Sequence, residues 1–313
     1  MTNIPSTINR ISNNILKKSQ HKIYIESHRG VNREYEQNTL KAFNKAIEYK
    51  VDGIELDIWL TQDLVPIVLH GGSEGELEEF TDHDGFVTEY YLKDLNNVKS
   101  KFGKEKIPTL EEVFILCKNK LFINIEIKDN RNDKVFPVLI NLIEKYDIQN
   151  QIQISSFFHI YYFDNIKKYN EEHEKKIEFG FLYPPGLLKY FYGFKYIFNI
   201  QNCTLNIFNQ DITKEMCEKA HKNNMGIMAW FKMNDIENFE FILIYMQLEL
   251  MLFVLIIQNY FWNLEIKLKK EKLHQRLKTI TVMFSENYFF SILFNLFKGF
   301  NYYLIFIGIF LIV

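Results

Sequence analysis

Cysteine is scarce in this chain. Cys117, Cys203 and Cys217 are its only three, an odd count without the paired spacing of a zinc site. The expectation is reduced thiols in a cytoplasmic protein. An excess of one charge is also lacking, because 37 Lys and Arg stand against 39 Asp and Glu, for a formal net charge of −2. Lys and Glu are scattered rather than in blocks, so no basic surface marks nucleic acid as a partner. Residues 1–20 lack the apolar core of a secretory signal and read as a polar arm. Beyond about Tyr245, Asp, Ala, Pro and Cys do not recur, and Gly is reduced to Gly299 and Gly308.

What is abundant is Phe (29) and Tyr (18), with Asn, Ile and Lys, the residues that A/T-rich codons encode. The 313 residues suffice for one large α/β domain with a tail. From Lys22 onward short apolar runs alternate with helical stretches. Ile23–Glu26, Ile54–Trp59, Val65–Leu69, Leu121–Ile127, Gln151–Ser155, Ile177–Leu182, Cys203–Ile207 and Gly226–Trp230 are the apolar runs, from which seven strands are counted with Trp230 ending the seventh, and Leu40–Tyr49, Leu110–Cys117, Val135–Tyr146 and Lys214–Asn223 read as helices. That rhythm predicts a parallel sheet with crossover helices, of the (β/α)8 TIM-barrel type, in which polar residues at the carboxyl ends of strands face the mouth. The expected organisation is an arm over 1–20, a barrel over 21–245 and an anomalous tail over 246–313.

The chemistry gathers at those strand ends. His28 and Arg29 follow the first strand together, a pairing suited to an anionic substrate. Glu55 and Asp57 stand two apart and so share one strand face, offering hard oxygen ligands of the kind Mg2+ or Ca2+ takes. His70 ends the next apolar run, and Glu126 with Lys128 repeats the two-apart arrangement. Singly, a strand-end His is more often structural, and a charged pair on a strand is usually its solvated face. Jointly the balance shifts, because charges inside apolar parallel strands are costly unless they meet a metal or each other.

These residues resemble the glycerophosphodiester phosphodiesterases, whose pattern runs His-Arg-Gly, Glu-Asn-Thr, Glu-Leu-Asp, His and Glu-x-Lys. The likeness extends from about Ile23 to Phe231 and takes in Asn38, Thr39, Gly53, Thr61, Asp63, Ile107–Leu110, Ser155–Phe157, His221, Gly226 and Trp230. The resemblance implies metal-dependent hydrolysis of a glycerophosphodiester to glycerol 3-phosphate and an alcohol, with His28 and His70 as the acid–base pair. It further implies that Glu55, Asp57 and Glu126 bind one divalent cation, Mg2+ or Ca2+, and that Arg29 and Lys128 hold the phosphate. A glycerol hydroxyl held by the metal would attack phosphorus, and water would then open the cyclic phosphate. Trp230 would pack beside the glycerol or simply belong to the core. A lysophospholipid is the alternative substrate, making the enzyme a lysophospholipase D. Two positions depart from the pattern: Gln37 replaces its Glu, and Gly71 replaces the Asp that follows the second His.

The family's eighth strand, roughly Gly-Val-Asp-Gly-Ile-Ile-Thr-Asp-x-Pro, has no counterpart after Trp230. Back-translating Met246–Trp262 with permitted codons and shifting the frame by two nucleotides gives Ala-Ile-Gly-Val-Asp-Val-Ile-Cys-Thr-Asn-Tyr-Pro. The expectation is a frameshift between about Trp230 and Met246, with the last strand lost or frame-shifted and an out-of-frame apolar tail behind it. Two other readings compete. A membrane anchor in Tyr288–Val313 is one, although Lys298 interrupts it and leaves a clean run shorter than the roughly 20 residues of a membrane span. A non-catalytic remnant, unable to close its barrel and left with unpaired edges on the first and seventh strands, is the other.

Overall fold

The computed structural model describes residues 24–157, 159–186, 203–223, 225–231 and 252–255. The expected polar arm, and all of the expected tail except Leu252–Leu255, lie outside the described residues. The chain divides into two compact units, 1–258 and 259–313, of which only the first is described.

Nine strands are present among the described residues: β1 (Tyr24–His28), β2 (Gly53–Leu60), β3 (Pro66–Val68), β4 (Phe122–Ile127), β5 (Ile152–Ser156), β6 (Glu178–Tyr183), β7 (Cys203–Phe208), β8 (Gly226–Trp230) and β9 (Leu252–Leu255). Every pairing among them is parallel except that of β2 with β3. The pairings run from β1 through β9, β8, β7, β6, β5, β4 and β2 and return to β1, so eight parallel strands close a ring. Strands β4 to β7 are buried along their whole length, as a sheet covered on both faces requires. Four helices on the sequence pattern form as expected, α1 (Leu40–Tyr49), α2 (Leu110–Cys117), α3 (Asn132–Tyr146) and α5 (Lys214–Lys222), and a further helix that the pattern did not single out, α4 (His159–Glu172), lies between β5 and β6. Thr39, Thr109 and Thr213 cap α1, α2 and α5 by accepting N–H bonds through their side chains.

Two expectations are corrected. The run Val65–Leu69 is not a barrel strand. It forms the short β3, antiparallel to the upper end of β2 with Ile58 opposite Val68, because only a five-residue turn separates the two and a parallel crossover needs a dozen residues or more. The ring also has no gap where the family's last strand is missing from the sequence. Leu252–Leu255 pairs with β1 and with β8, so the edges expected to be open are both joined.

Between β3 and α2 the chain makes an insert with its own small core, in which Trp59, Leu77, Val87, Leu95, Val98 and Ile107 pack together. Gly71 turns into this insert at φ +65, and a Cβ there would sit 2.8 Å from the Trp59 Nε1. Trp59 uses that nitrogen to donate to the His70 carbonyl at 2.8 Å, which fixes the backbone of His70 over the barrel mouth.

Candidate active site

Residue alternation on β2 and β4 places Glu55, Asp57 and Glu126 inside the ring, and the pairing register sets Asp57 opposite Glu126 and His28 opposite Glu55. One oxygen from each of the three carboxylates lies within 4.8 Å of the others, and all three residues are buried. Glu55 Oε1 and Asp57 Oδ1 are buried without a hydrogen-bond partner among the described residues.

The cations expected from the sequence converge on this cluster. Arg29 adopts a left-handed backbone, φ 55, and its N–H donates to the Glu55 Oε2 at 3.1 Å. Its Nε lies 3.0 Å from Asp57 Oδ2, and its Nη1 donates to Gln37 Oε1 at 2.8 Å. Gln37 therefore still holds the guanidinium, as a neutral acceptor. Lys128 pairs with Glu126 at 2.9 Å and lies 4.0 Å from Asp57. Asn38, at φ 56, donates to Asp57 at 2.9 Å, a role that its place in the Glu-Asn-Thr motif did not reveal.

His28 Nε2 is 3.6 Å from Glu55 Oε2. The ring of Phe80, from the insert, meets that of His70 edge-on with centroids 5.2 Å apart. The Nδ1 of each histidine is buried without a partner among the described residues, and for His70 this fits the replacement of an Asp by Gly71. Trp230 is at the end of β8, tilted against Phe208 with centroids 5.1 Å apart, and no bond joins it to the acidic cluster among the described residues.

The electrostatics follow from burial and neighbours. Burial pushes the Asp57 carboxyl up, but Arg29, His70, Lys128 and the Asn38 bond outweigh it and hold the group below the carboxylate range. Glu55 is pushed well up, by burial first and then by the charges of Asp57 and Glu126. Glu126 is raised chiefly by burial, against the pull of Lys128. Burial also lowers both imidazoles, His28 to about 3 with help from Arg29 and His70 to about 4. Three buried carboxylates that resist carrying charge together, two with unpartnered oxygens, are a donor set that fits a hard divalent cation.

A lower layer of the barrel interior is also polar, which the sequence pattern did not signal. Asn124 donates to Glu26 at 3.3 Å and accepts from Ser155 at 2.9 Å. Gln153, Thr204 and Asn206 bond one another in a closed ring at 2.7–3.1 Å. Glu26 and Glu178 complete the layer, and burial pushes both carboxyls up, Glu26 to about 8.

The glycerophosphoryl diester phosphodiesterase family model matches residues 28–255 of this sequence. The chain belongs to that family. Its class as an enzyme, a phosphoric diester hydrolase, is the class of the family. A glycerophosphodiester phosphodiesterase of Caldanaerobacter subterraneus subsp. tengcongensis is 32% identical over 218 residues, covering 67% of this chain and 85% of the relative. Among solved structures, a glycerophosphodiester phosphodiesterase from Thermotoga maritima superposes with TM-score 0.59 at 23% identity, covering 75% of this chain and 95% of its own. An Oleispira antarctica phosphodiesterase in complex with its product, sn-glycerol-3-phosphate, superposes with TM-score 0.60 at 18% identity, over 74% of this chain and 92% of its own. These likenesses establish the TIM-barrel fold of the phosphodiesterase chain.

Proposed function

We propose that this family member hydrolyses small glycerophosphodiesters to glycerol 3-phosphate and an alcohol, using His28 and His70 as the acid–base pair and one divalent cation. The observation that carries the reading is the buried carboxylate trio with unpartnered oxygens, flanked by Arg29, Lys128 and two imidazoles. Glu55, Asp57 and Glu126 would hold the cation, Mg2+ or Ca2+, which supplies neutralising charge to the phosphoryl oxygens when bound. Arg29 and Lys128 orient the phosphate and offset charge that grows on it in the transition state. Both histidines are neutral near pH 7, so one accepts the proton of the attacking glycerol hydroxyl. The other, protonated once the anionic phosphate is beside it, gives its proton to the departing alcohol. Water then opens the cyclic phosphate with the two roles exchanged, and no protein nucleophile is required. Trp230 is assigned to the glycerol side of the mouth.

A cytoplasmic location is part of the same reading and is supported by three free, buried thiols. No helix among the described residues is long and apolar enough to cross a membrane.

The test is hydrolysis of glycerophosphocholine with and without a chelator, in the wild type and in His28→Ala and His70→Ala. Turnover is expected to stop with chelation and to fall by roughly 10²- to 10⁴-fold in each variant. Unchanged turnover in both variants would sink the assignment, and release of lysophosphatidic acid from a single-chain lipid would favour the lysophospholipase D reading.

A further inference from the structure

Beside His70 lies a shallow groove, open to solvent, formed between the segment that follows β1 and the insert. Glu36, Phe80, Thr81, Ser100 and Lys106 line it together with His70. Its polar inventory is mostly engaged elsewhere. Thr81 donates to the Leu77 carbonyl at 2.8 Å, Ser100 accepts from the Glu105 N–H at 3.0 Å, and Lys106 pairs with Glu112 at 3.1 Å. Nearby Lys41 is paired with Glu105 at 3.2 Å.

Glu36 differs from these. Its Oε2 accepts the N–H groups of Phe102, at 3.1 Å, and Gly103, at 2.7 Å, which anchors the side chain to the insert. No cationic side chain among the described residues pairs with it. The groove thus offers one uncompensated carboxylate and one aromatic ring, that of Phe80, beside the imidazole of His70. A polyol would find few open hydrogen-bond partners there, whereas an ammonium group would find a counter-charge and a π face.

We propose that this groove receives the alcohol half of the diester and favours small alcohols carrying an ammonium group, with Glu36 as the specificity-determining residue. The inference rests on the reading of His70 as an acid–base group at the scissile bond. The experiment compares kcat/KM for glycerophosphocholine, glycerophosphoethanolamine and glycerophosphoglycerol, using the full chain as wild type and as Glu36→Gln. Glutamine keeps an oxygen for the Phe102 and Gly103 amides and removes the charge. The wild type is expected to prefer both cationic diesters by about tenfold, equivalent to ~1.4 kcal/mol. Glu36→Gln is expected to erase that preference, read as a fall in kcat/KM on the two cationic diesters relative to glycerophosphoglycerol. Equal wild-type kcat/KM on all three, or an equal loss on all three in Glu36→Gln, would overturn the inference and leave the phosphodiesterase reading standing. Turnover of none of the three by folded wild type would remove that reading, and this inference with it.

Discussion

Glu26 and Asp57 lie in the same barrel with their carboxyls pushed in opposite directions, and the difference is one of neighbours rather than of burial. Both are buried, but Asp57 has Arg29 at 3.0 Å and Asn38 at 2.9 Å, while Glu26 has a single Asn124 bond and an unpartnered Oε1. Glu26 is therefore protonated in the folded chain near neutral pH, with its ionisation pushed up to about 8. A group raised above its unfolded value of 4.5 stabilises fully below that value, and the contribution is lost as pH climbs through the folded one. The wild type should lose stability between about pH 5 and pH 8, by on the order of a few kcal/mol from this group. Glu26→Gln, which stays neutral, should show a flatter profile. Thermal unfolding across that range is the measurement, and parallel profiles for the two proteins would mean that Glu26 is already charged in the fold.

The β2–β3 hairpin is the element that turns a sheet into a site. Its antiparallel arm carries the chain back past Asp57 and delivers His70 to the mouth, two residues beyond Val68, where the Trp59 bond fixes its carbonyl. Gly71 and Gly75, at φ +65 and +89, allow the insert to wrap closely over Trp59. Gly71→Ala is expected to cost about 1–2 kcal/mol, from the left-handed backbone and from the contact with the indole nitrogen. Urea unfolding would show this as a lower midpoint, and an unaltered midpoint would mean that the turn relaxes without cost. The sequence made His70 visible as a chemical group. It did not show the direction of its strand, because Val65–Leu69 has the same apolar pattern in either orientation and only the short turn forbids the parallel one.

At the scale of the molecule, the pairing of Leu252–Leu255 with β1 and β8 decides ring closure. Leu252–Leu255 closes the barrel in the present frame, yet the shifted frame lays Val-Ile-Cys-Thr over the same codons. Codons with thymine at the centre specify apolar residues, and an A/T-rich gene supplies them in more than one frame, so either translation offers a strand. The reading of residues 246–313 as out-of-frame translation stands as our proposal. Sequencing the gene and transcript across the codons for Trp230 to Trp262 is expected to find an inserted or deleted base. An intact present frame would make Leu252–Leu255 the native closing strand and remove the proposal.

The sequence by itself determined the barrel class and which candidate site residues share a strand face. Period-two alternation puts Glu55 with Asp57, and Glu126 with Lys128, on single strand faces, a local property that any register preserves. Only the tertiary structure decided that Arg29 and Lys128 both reach Asp57, that Glu26 and Glu178 share a buried polar layer, and that Phe80 and Glu36 border His70. Each of those relations joins groups whose separation depends on strand register and on the path of an insert. The pattern of apolar and polar residues along the chain constrains neither of these, because it specifies which face a side chain takes and not what it meets there.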